Sequence, residues 1–177
     1  MSNCQIDTRI IPLTQGQEAT VSAEDYEFLN KWKWIAIWQP HVNNFYAVRG
    51  QVLRSRAEAR ATGLPRMKQV RMHRVIMGDP DSFVDHKNGK TLDNTRGNLR
   101  IATPAQNSMN SKKQRRVTSS KYKGVTFRKR SGKWEAQIRH GEINVKNTIG
   151  QFDTEEEAHA AYCKAAVDLY GEFANFG

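Results

Sequence analysis

The sequence predicts an α+β protein made of several small units. Residues 1–66 read as a β-rich N-terminal module, 67–111 as a strand–strand–helix unit, 112–121 as a basic linker, and 122–177 as a three-stranded antiparallel sheet on one helix. Three observations carry this reading. Short strand-like runs recur, separated by Asn-Asn, Asn-Gly and Ser-Gly turn signals. Two helix starts are marked, by Thr103-Pro104 and by the capping box from Thr154 to Glu157. Charge is also concentrated: the net charge is +10, and residues 111–150 hold twelve Lys and Arg against two Asp and Glu.

In the first module, Ile10 to Leu13 and Glu18 to Val21 are expected to be extended, and Ser22 can cap a short helix from Ala23 to Leu29 with Glu24 and Asp25 in its first turn. Trp34 to Trp38 and Phe45 to Arg49 read as two strands joined across Asn43-Asn44. Trp32, Trp34 and Trp38 could serve as stacking platforms, but tryptophans in so small a hairpin are more often core. Residues 51–66 read as a poorly packed loop or short helix leading into a strand from Lys68 to Met72.

The stretch from Phe83 to Asn107 organises the rest. Phe83 to His86 is a short strand that stops at the Asn88-Gly89 turn, Leu99 to Thr103 is a second strand, and a helix should run from Pro104 to about Ser111. Asp85 offers a hard anionic oxygen and Asn107 a neutral one, donor types suited to Mg²⁺ or Mn²⁺ completed by water and phosphate oxygens. His86 is the natural general base, since a neutral imidazole accepts a proton near neutral pH. Neighbours on a strand face opposite ways, so Asp85 and His86 share a site only if the strand ends there. His73, in an apolar run, is expected to be mainly structural.

The first sixty residues are nearly balanced in charge and the last 27 carry one basic residue against six acidic, so the positive block is a phosphate-binding footprint more readily than a solubility device. A membrane-surface patch would need an amphipathic basic helix, which the sequence does not offer. No apolar run reaches membrane-spanning length and no signal peptide opens the chain, so a soluble, cytoplasmic protein is expected. Cys4 and Cys163 make neither a disulfide framework nor a structural zinc site. Lys112, Lys113, Arg115 and Arg116 lie in a linker too polar to bury a core, expected to follow a groove of DNA or to act as a plain tether.

After it, Tyr122 to Arg128, Lys133 to Arg139 and Val145 to Phe152 alternate as three strands, with turns at Arg130-Ser131-Gly132 and His140-Gly141-Glu142. The helix from Thr154 carries an apolar stripe of Ala158, Ala161, Tyr162, Ala165, Ala166 and Leu169. Packed on one sheet face, it leaves Arg128, Lys133, Gln137, Arg139 and Lys146 as an outward basic surface.

Two resemblances follow from these residues. Met72-His73-Arg74-Val75-Ile76-Met77-Gly78, Val84-Asp85-His86, Leu92-Asp93-Asn94, Asn98-Leu99-Arg100 and Gln106-Asn107 resemble the HNH endonucleases of the ββα-metal fold, in their phage and intron homing branch. The resemblance implies that His86 activates the attacking water, that Asp85 and Asn107 hold one divalent metal, and that the middle asparagine, Asn98, ties the strands and steadies the base. The last position of the signature is Asn107 and not histidine. Tyr122-Lys123-Gly124-Val125, Gly132-Lys133-Trp134-Glu135-Ala136, Ile149-Gly150-Gln151-Phe152 and Glu157-Ala158 through Ala161-Tyr162 to Ala165-Ala166 resemble the plant Apetala-two/ethylene-response-factor (AP2/ERF) DNA-binding domain. That likeness implies DNA contacts from Lys123, Arg128, Arg130, Lys133, Gln137, Arg139 and Lys146, with Arg and Gln suited to bidentate reading of guanine and adenine. Thr126 and Thr148 replace arginines expected in the plant domains, so their target sequence is not carried over, and Trp134 reads as core.

The function expected is therefore a site-directed HNH homing endonuclease that hydrolyses one phosphodiester of double-stranded phage or bacterial DNA. It would act as a monomer and leave a nick. The alternative is a DNA-binding transcriptional regulator that no longer cuts. An RNA-binding protein would need more exposed stacking aromatics than the basic strands offer.

Overall fold

A computed structural model describes residues 7–40, 42–113, 118–140 and 145–177. The chain forms two compact units, residues 1–101 and 102–177.

The first unit opens with β1 (Thr8–Pro12) and β2 (Glu18–Ser22), an antiparallel pair, followed by α1 (Ala23–Leu29). Ser22 stands at the N-cap, but its hydroxyl does not cap the helix; it accepts the backbone N–H of Arg96 at 3.0 Å. Arg96 also forks onto the buried Asp25 of α1 at 2.8 and 2.7 Å. Next come β3 (Ile35–Gln39), β4 (Asn44–Val52), α2 (Arg56–Thr62) and β5 (Met67–Arg71), with β4 central in an antiparallel sheet. The segment between β4 and β5 is thus a capped helix and not a loop. The border expected at residue 66 falls between two strands of one sheet.

A short α3 (Met72–Ile76) follows β5 directly, where the sequence suggested strand up to Met72. Its apolar run is buried on Met72 and Ile76, and His73 is buried with them. Then come β6 (Phe83–His86), β7 (Asp93–Asn94) and β8 (Leu99–Ala102), β6 pairing with β8 while β7 pairs in parallel with β2. One core of Ile11, Val21, Leu29, Trp34, Ala47, Met72, Ile76 and Leu99 joins these elements. Trp34 is core, its indole N–H donating to the Leu29 carbonyl at 2.9 Å. Trp38 is exposed and meets Phe45 edge-on at 5.0 Å.

The second unit begins with α4 (Pro104–Met109), closed at its start by the Thr103–Gln106 capping box. The antiparallel sheet of β9 (Val125–Arg128), β10 (Lys133–His140) and β11 (Val145–Phe152) has β10 in the middle, and α5 (Glu155–Tyr170) covers one face. Ala158, Tyr162 and Ala166 of α5 are buried against Val125, Ala136 and Ile138. Gly124 has φ +73°, and a Cβ there would stand 2.2 Å from the Tyr162 ring, so the entry to β9 admits glycine alone. Leu169, expected in the apolar stripe, is exposed, and Tyr170 packs against the core in its place. The expected turn at Gly141-Glu142 lies outside the described residues, as do Arg115 and Arg116.

Candidate active site and nucleic-acid interface

Asp85 and His86 are the last two residues of β6. The strand stops at His86, whose carbonyl accepts the Gly89 N–H at 2.9 Å, and both side chains are buried. Asp85 meets Arg100 of β8: Nε and Nη2 of the guanidinium reach Asp85 Oδ2 at 2.9 and 2.8 Å. His86 meets Asn94 of β7, with Nε2 at 3.2 Å from the amide Oδ1. The Asn94 Nδ2 donates to the Leu92 carbonyl at 3.2 Å, which turns Oδ1 toward the ring. An amide oxygen can only accept, so His86 carries its proton on Nε2 and its accepting lone pair on Nδ1.

Burial pushes the His86 pKa below the ordinary imidazole value, against the opposing pull of the Asn94 hydrogen bond, Asp85 and Asp93. The ring is therefore neutral at pH 7. His73 of α3 stands edge-on to it, ring centroids 4.9 Å apart, and Tyr46 of β4 lies 5.4 Å from His73 and 6.2 Å from His86. Burial takes the His73 pKa down to about 3, assisted by His86, Arg71 and Arg74. The Tyr46 phenol is raised by burial, with the Arg71 guanidinium stacked over its ring at 5.1 Å opposing the shift.

Asn98 ties the loop. Its Oδ1 accepts the Asn88 N–H at 3.0 Å, its Nδ2 donates to the Asp93 carbonyl at 2.7 Å, and its own carbonyl accepts the Lys87 N–H at 2.9 Å. The amide facing the His86 ring is that of Asn94. Nothing local in the sequence marks Asn94, Tyr46, Arg71, His73 or Arg100 as neighbours of Asp85 and His86, because they come from 8 to 40 positions away through strand pairing and packing. Asn107 sits half-buried on α4, in the second unit.

A divalent cation can be tested against the donor set. Arg100 occupies two of the roughly four acceptor sites of the Asp85 carboxylate and fixes its direction. A hard carboxylate oxygen held in a fixed direction is a donor type suited to Mg²⁺ or Mn²⁺.

In the second unit, several candidate DNA-binding side chains make contacts within the unit. Arg128 reaches Glu135 on β10 at 2.5 Å, and the Gln137 amide donates to the same carboxylate. Lys133 pairs with Asp153 at 3.1 Å. Lys123 is turned inward, donating to the carbonyls of Met109 and Ser111 at 2.8 and 2.6 Å, and burial lowers its pKa to about 8. Lys113 donates to Thr118 and to the Ser120 carbonyl. Lys112, Arg130, Arg139 and Lys146 are exposed. Trp134 is half-buried and packs with Phe127 on the core.

The AP2 domain family matches residues 120–172, the segment that folds as β9–β10–β11–α5. Over 119 residues the chain is 34% identical to the ethylene-responsive transcription factor ERF070 of Arabidopsis thaliana and covers 67% of its length. The chain belongs to the AP2 domain family. Its AP2 domain is also similar to the AP2-like ethylene-responsive transcription factor TOE2 of Arabidopsis thaliana, 40% identical over 68 residues, which are 38% of this chain and 14% of that one. Over 94 residues, 53% of its length, the chain is also 38% identical to an uncharacterized HNH endonuclease of Acanthamoeba polyphaga mimivirus. The chain spans about half (46%) of that viral relative. Among the described residues, no helix is long and apolar enough to cross a membrane.

Proposed function

We propose that this protein is a metal-dependent HNH endonuclease that an AP2 domain brings to double-stranded DNA. The observation that carries this reading is the His86 site: a buried, neutral imidazole whose Nε2 is held by Asn94, beside a carboxylate held by Arg100. A general base requires a fixed direction and a neutral ring at the working pH, and this arrangement supplies both.

His86 Nδ1 takes the proton of the attacking water, and Asn94 keeps the ring in the tautomer able to do so. Asp85 and Asn107 are the proposed ligands of one Mg²⁺ or Mn²⁺, which when bound stabilises negative charge on the phosphate. Asn98 keeps the loop from 87 to 98 closed on the strand that carries the base. The products are a 5′-phosphate and a 3′-hydroxyl. A single site in a monomer cuts one strand, so the product is a nick at a homing-type site in phage or bacterial DNA, in the cytoplasm. The AP2 domain supplies the address through the exposed Arg130, Arg139 and Lys146, with Lys112 beside it.

The plant transcription factors similar to the AP2 domain favour a second reading, a DNA-binding regulator without cleavage. A supercoiled-plasmid assay separates the two. Wild type with Mg²⁺ or Mn²⁺ should yield open circle, while EDTA or His86→Ala should abolish it. Binding without cleavage in either metal would leave the regulator.

A further inference from the structure

Resting on the endonuclease reading, we propose that the β4–α2–β5 arm of the first unit is a DNA-backbone clamp in its own right. From 50 to 69 no residue is buried. The backbone is nevertheless ordered throughout. Gly50, Gln51 and Val52 pair with Gln69, Lys68 and Met67, the Leu53 N–H donates to the Arg66 carbonyl at 2.8 Å, and Arg54 donates to the Pro65 carbonyl. At the tip, α2 is closed by the Ser55–Glu58 capping box and by Gly63 at φ +67°. Ordering this segment costs conformational entropy that no core burial offsets, so its fixed shape serves its outer surface.

That surface is cationic. Residues 50–69 hold five basic side chains, Arg54, Arg56, Arg60, Arg66 and Lys68, against Glu58 alone. Glu58 is engaged at the helix start, its carboxylate accepting the Ser55 N–H at 2.7 Å. Arg56 and Arg60 are four apart and share one face of α2. Among the described residues Arg56, Arg60 and Arg66 make no ion pair. At the arm's root a groove of about 290 Å³ is lined by Lys68, Arg71 and Arg74 with Asp79. Arg71 stacks on Tyr46, whose ring is 6.2 Å from His86. Positive charge thus runs from the tip of α2 to the edge of the base, the path a phosphate backbone would follow.

Val52, Leu53, Leu64 and Met67 are also exposed on the arm, as a surface for a second copy would be. Charge decides between the occupants: a second arm would bring a net +4 against +4, whereas a polyanion releases counterions on binding.

The test uses the full chain with His86→Ala, so that binding is read without cleavage, and duplex DNA as the probe over a range of salt. Adding Arg56→Gln, Arg60→Gln and Arg66→Gln should flatten the slope of log Kobs against log salt by about 2 to 3, at roughly 0.9 per phosphate contact. Lysine at the same three positions should restore it, which a structural role would not predict. An unchanged slope in the glutamine variant overturns the clamp and leaves the endonuclease reading intact if wild type still cuts. A sedimentation shift from dimer to monomer with the slope unchanged overturns it in favour of self-association. If the His86→Ala chain binds no DNA and wild type does not cut, clamp and endonuclease fall together.

Discussion

The Arg100 guanidinium and the Asp85 carboxylate bind each other at 2.8 Å with both side chains only 8% exposed. A buried pair of this kind adds little net stability compared with an apolar pair, but loss of one partner strands a charge in a medium that cannot solvate it. Asp85 is therefore doubly committed, as a proposed metal ligand and as the counter-charge of Arg100. Alanine at either position tests folding before it tests catalysis.

Arg100→Met should destabilise the protein by about 3–5 kcal/mol in urea unfolding, the cost typical of breaking a buried pair. Asp85→Asn in the same background should recover part of that loss, because the group left facing the methionine is then a neutral amide. If the double variant were no more stable than Arg100→Met, the pair would not be what holds Arg100 in place. The same logic makes Asp85→Asn a better probe of metal binding than Asp85→Ala.

His73 yields a pH prediction. Its folded pKa is about 3 against an ordinary 6.5, so the unfolded chain binds the proton that the folded one refuses. The neutral ring's contribution to stability is complete above pH 6.5 and is lost as pH falls from there toward 3. Unfolding free energy should decline in that window with up to about 1.4 kcal/mol per pH unit from this one residue. Tyr46, His86, Arg71 and Arg74 surround His73. His73→Phe keeps an aromatic ring against its neighbours and removes the proton, so urea midpoints at pH 4 and 7 should differ less than in wild type.

These two sites show what the sequence could and could not carry. The caps at Thr103 and Thr154 and the strand-turn rhythm of the AP2 domain are local signals, and they were legible because the physics that makes them spans four residues. Asp85 and His86 were legible as chemistry for the same reason. Their partners were not. Arg100 comes to Asp85 through the β6–β8 pairing, and Asn94 faces His86 from β7, which is itself placed by a parallel pairing to β2 some 70 residues earlier. Lys123 illustrates the converse error: a lysine in a basic segment reads as a phosphate contact, yet two backbone carbonyls of the α4 C-terminus take its ammonium.

Lys123 should accordingly behave as a structural residue. Lys123→Ala leaves the carbonyls of Met109 and Ser111 without their donor, a loss of about 1–3 kcal/mol for hydrogen bonds to a charged group. The salt slope of DNA binding should stay at its wild-type value. A slope reduced by about 0.9 with unchanged thermal stability would return Lys123 to the DNA interface.

Glu135 governs two other candidates. Its carboxylate draws both Arg128 and the Gln137 amide across the exposed sheet face. Glu135→Gln removes one negative charge from that face and loosens Arg128, so AP2-domain affinity for non-specific duplex should rise and the salt slope should steepen by about 1. Weaker binding in this variant would mean that the Glu135–Arg128 pair presents the arginine to DNA instead of restraining it.

Asn94 contributes no proton and touches no phosphate in the proposed reaction; its part is to hold His86 Nε2 and so leave the lone pair on Nδ1. Partners of this kind typically change activity by about 10–100-fold when removed, because ring orientation and tautomer are lost together. Asn94→Ala should lower the single-turnover cleavage rate by about that factor while DNA affinity stays within about twofold. Asn94→Asp should keep the acceptor but add a negative charge that favours the imidazolium. The rising limb of the pH–rate profile, placed below pH 6.5 in wild type by the depressed His86 pKa, should then move upward. A limb that stays in place in Asn94→Asp would mean that His86 is not the group titrating, and the base would have to be sought elsewhere.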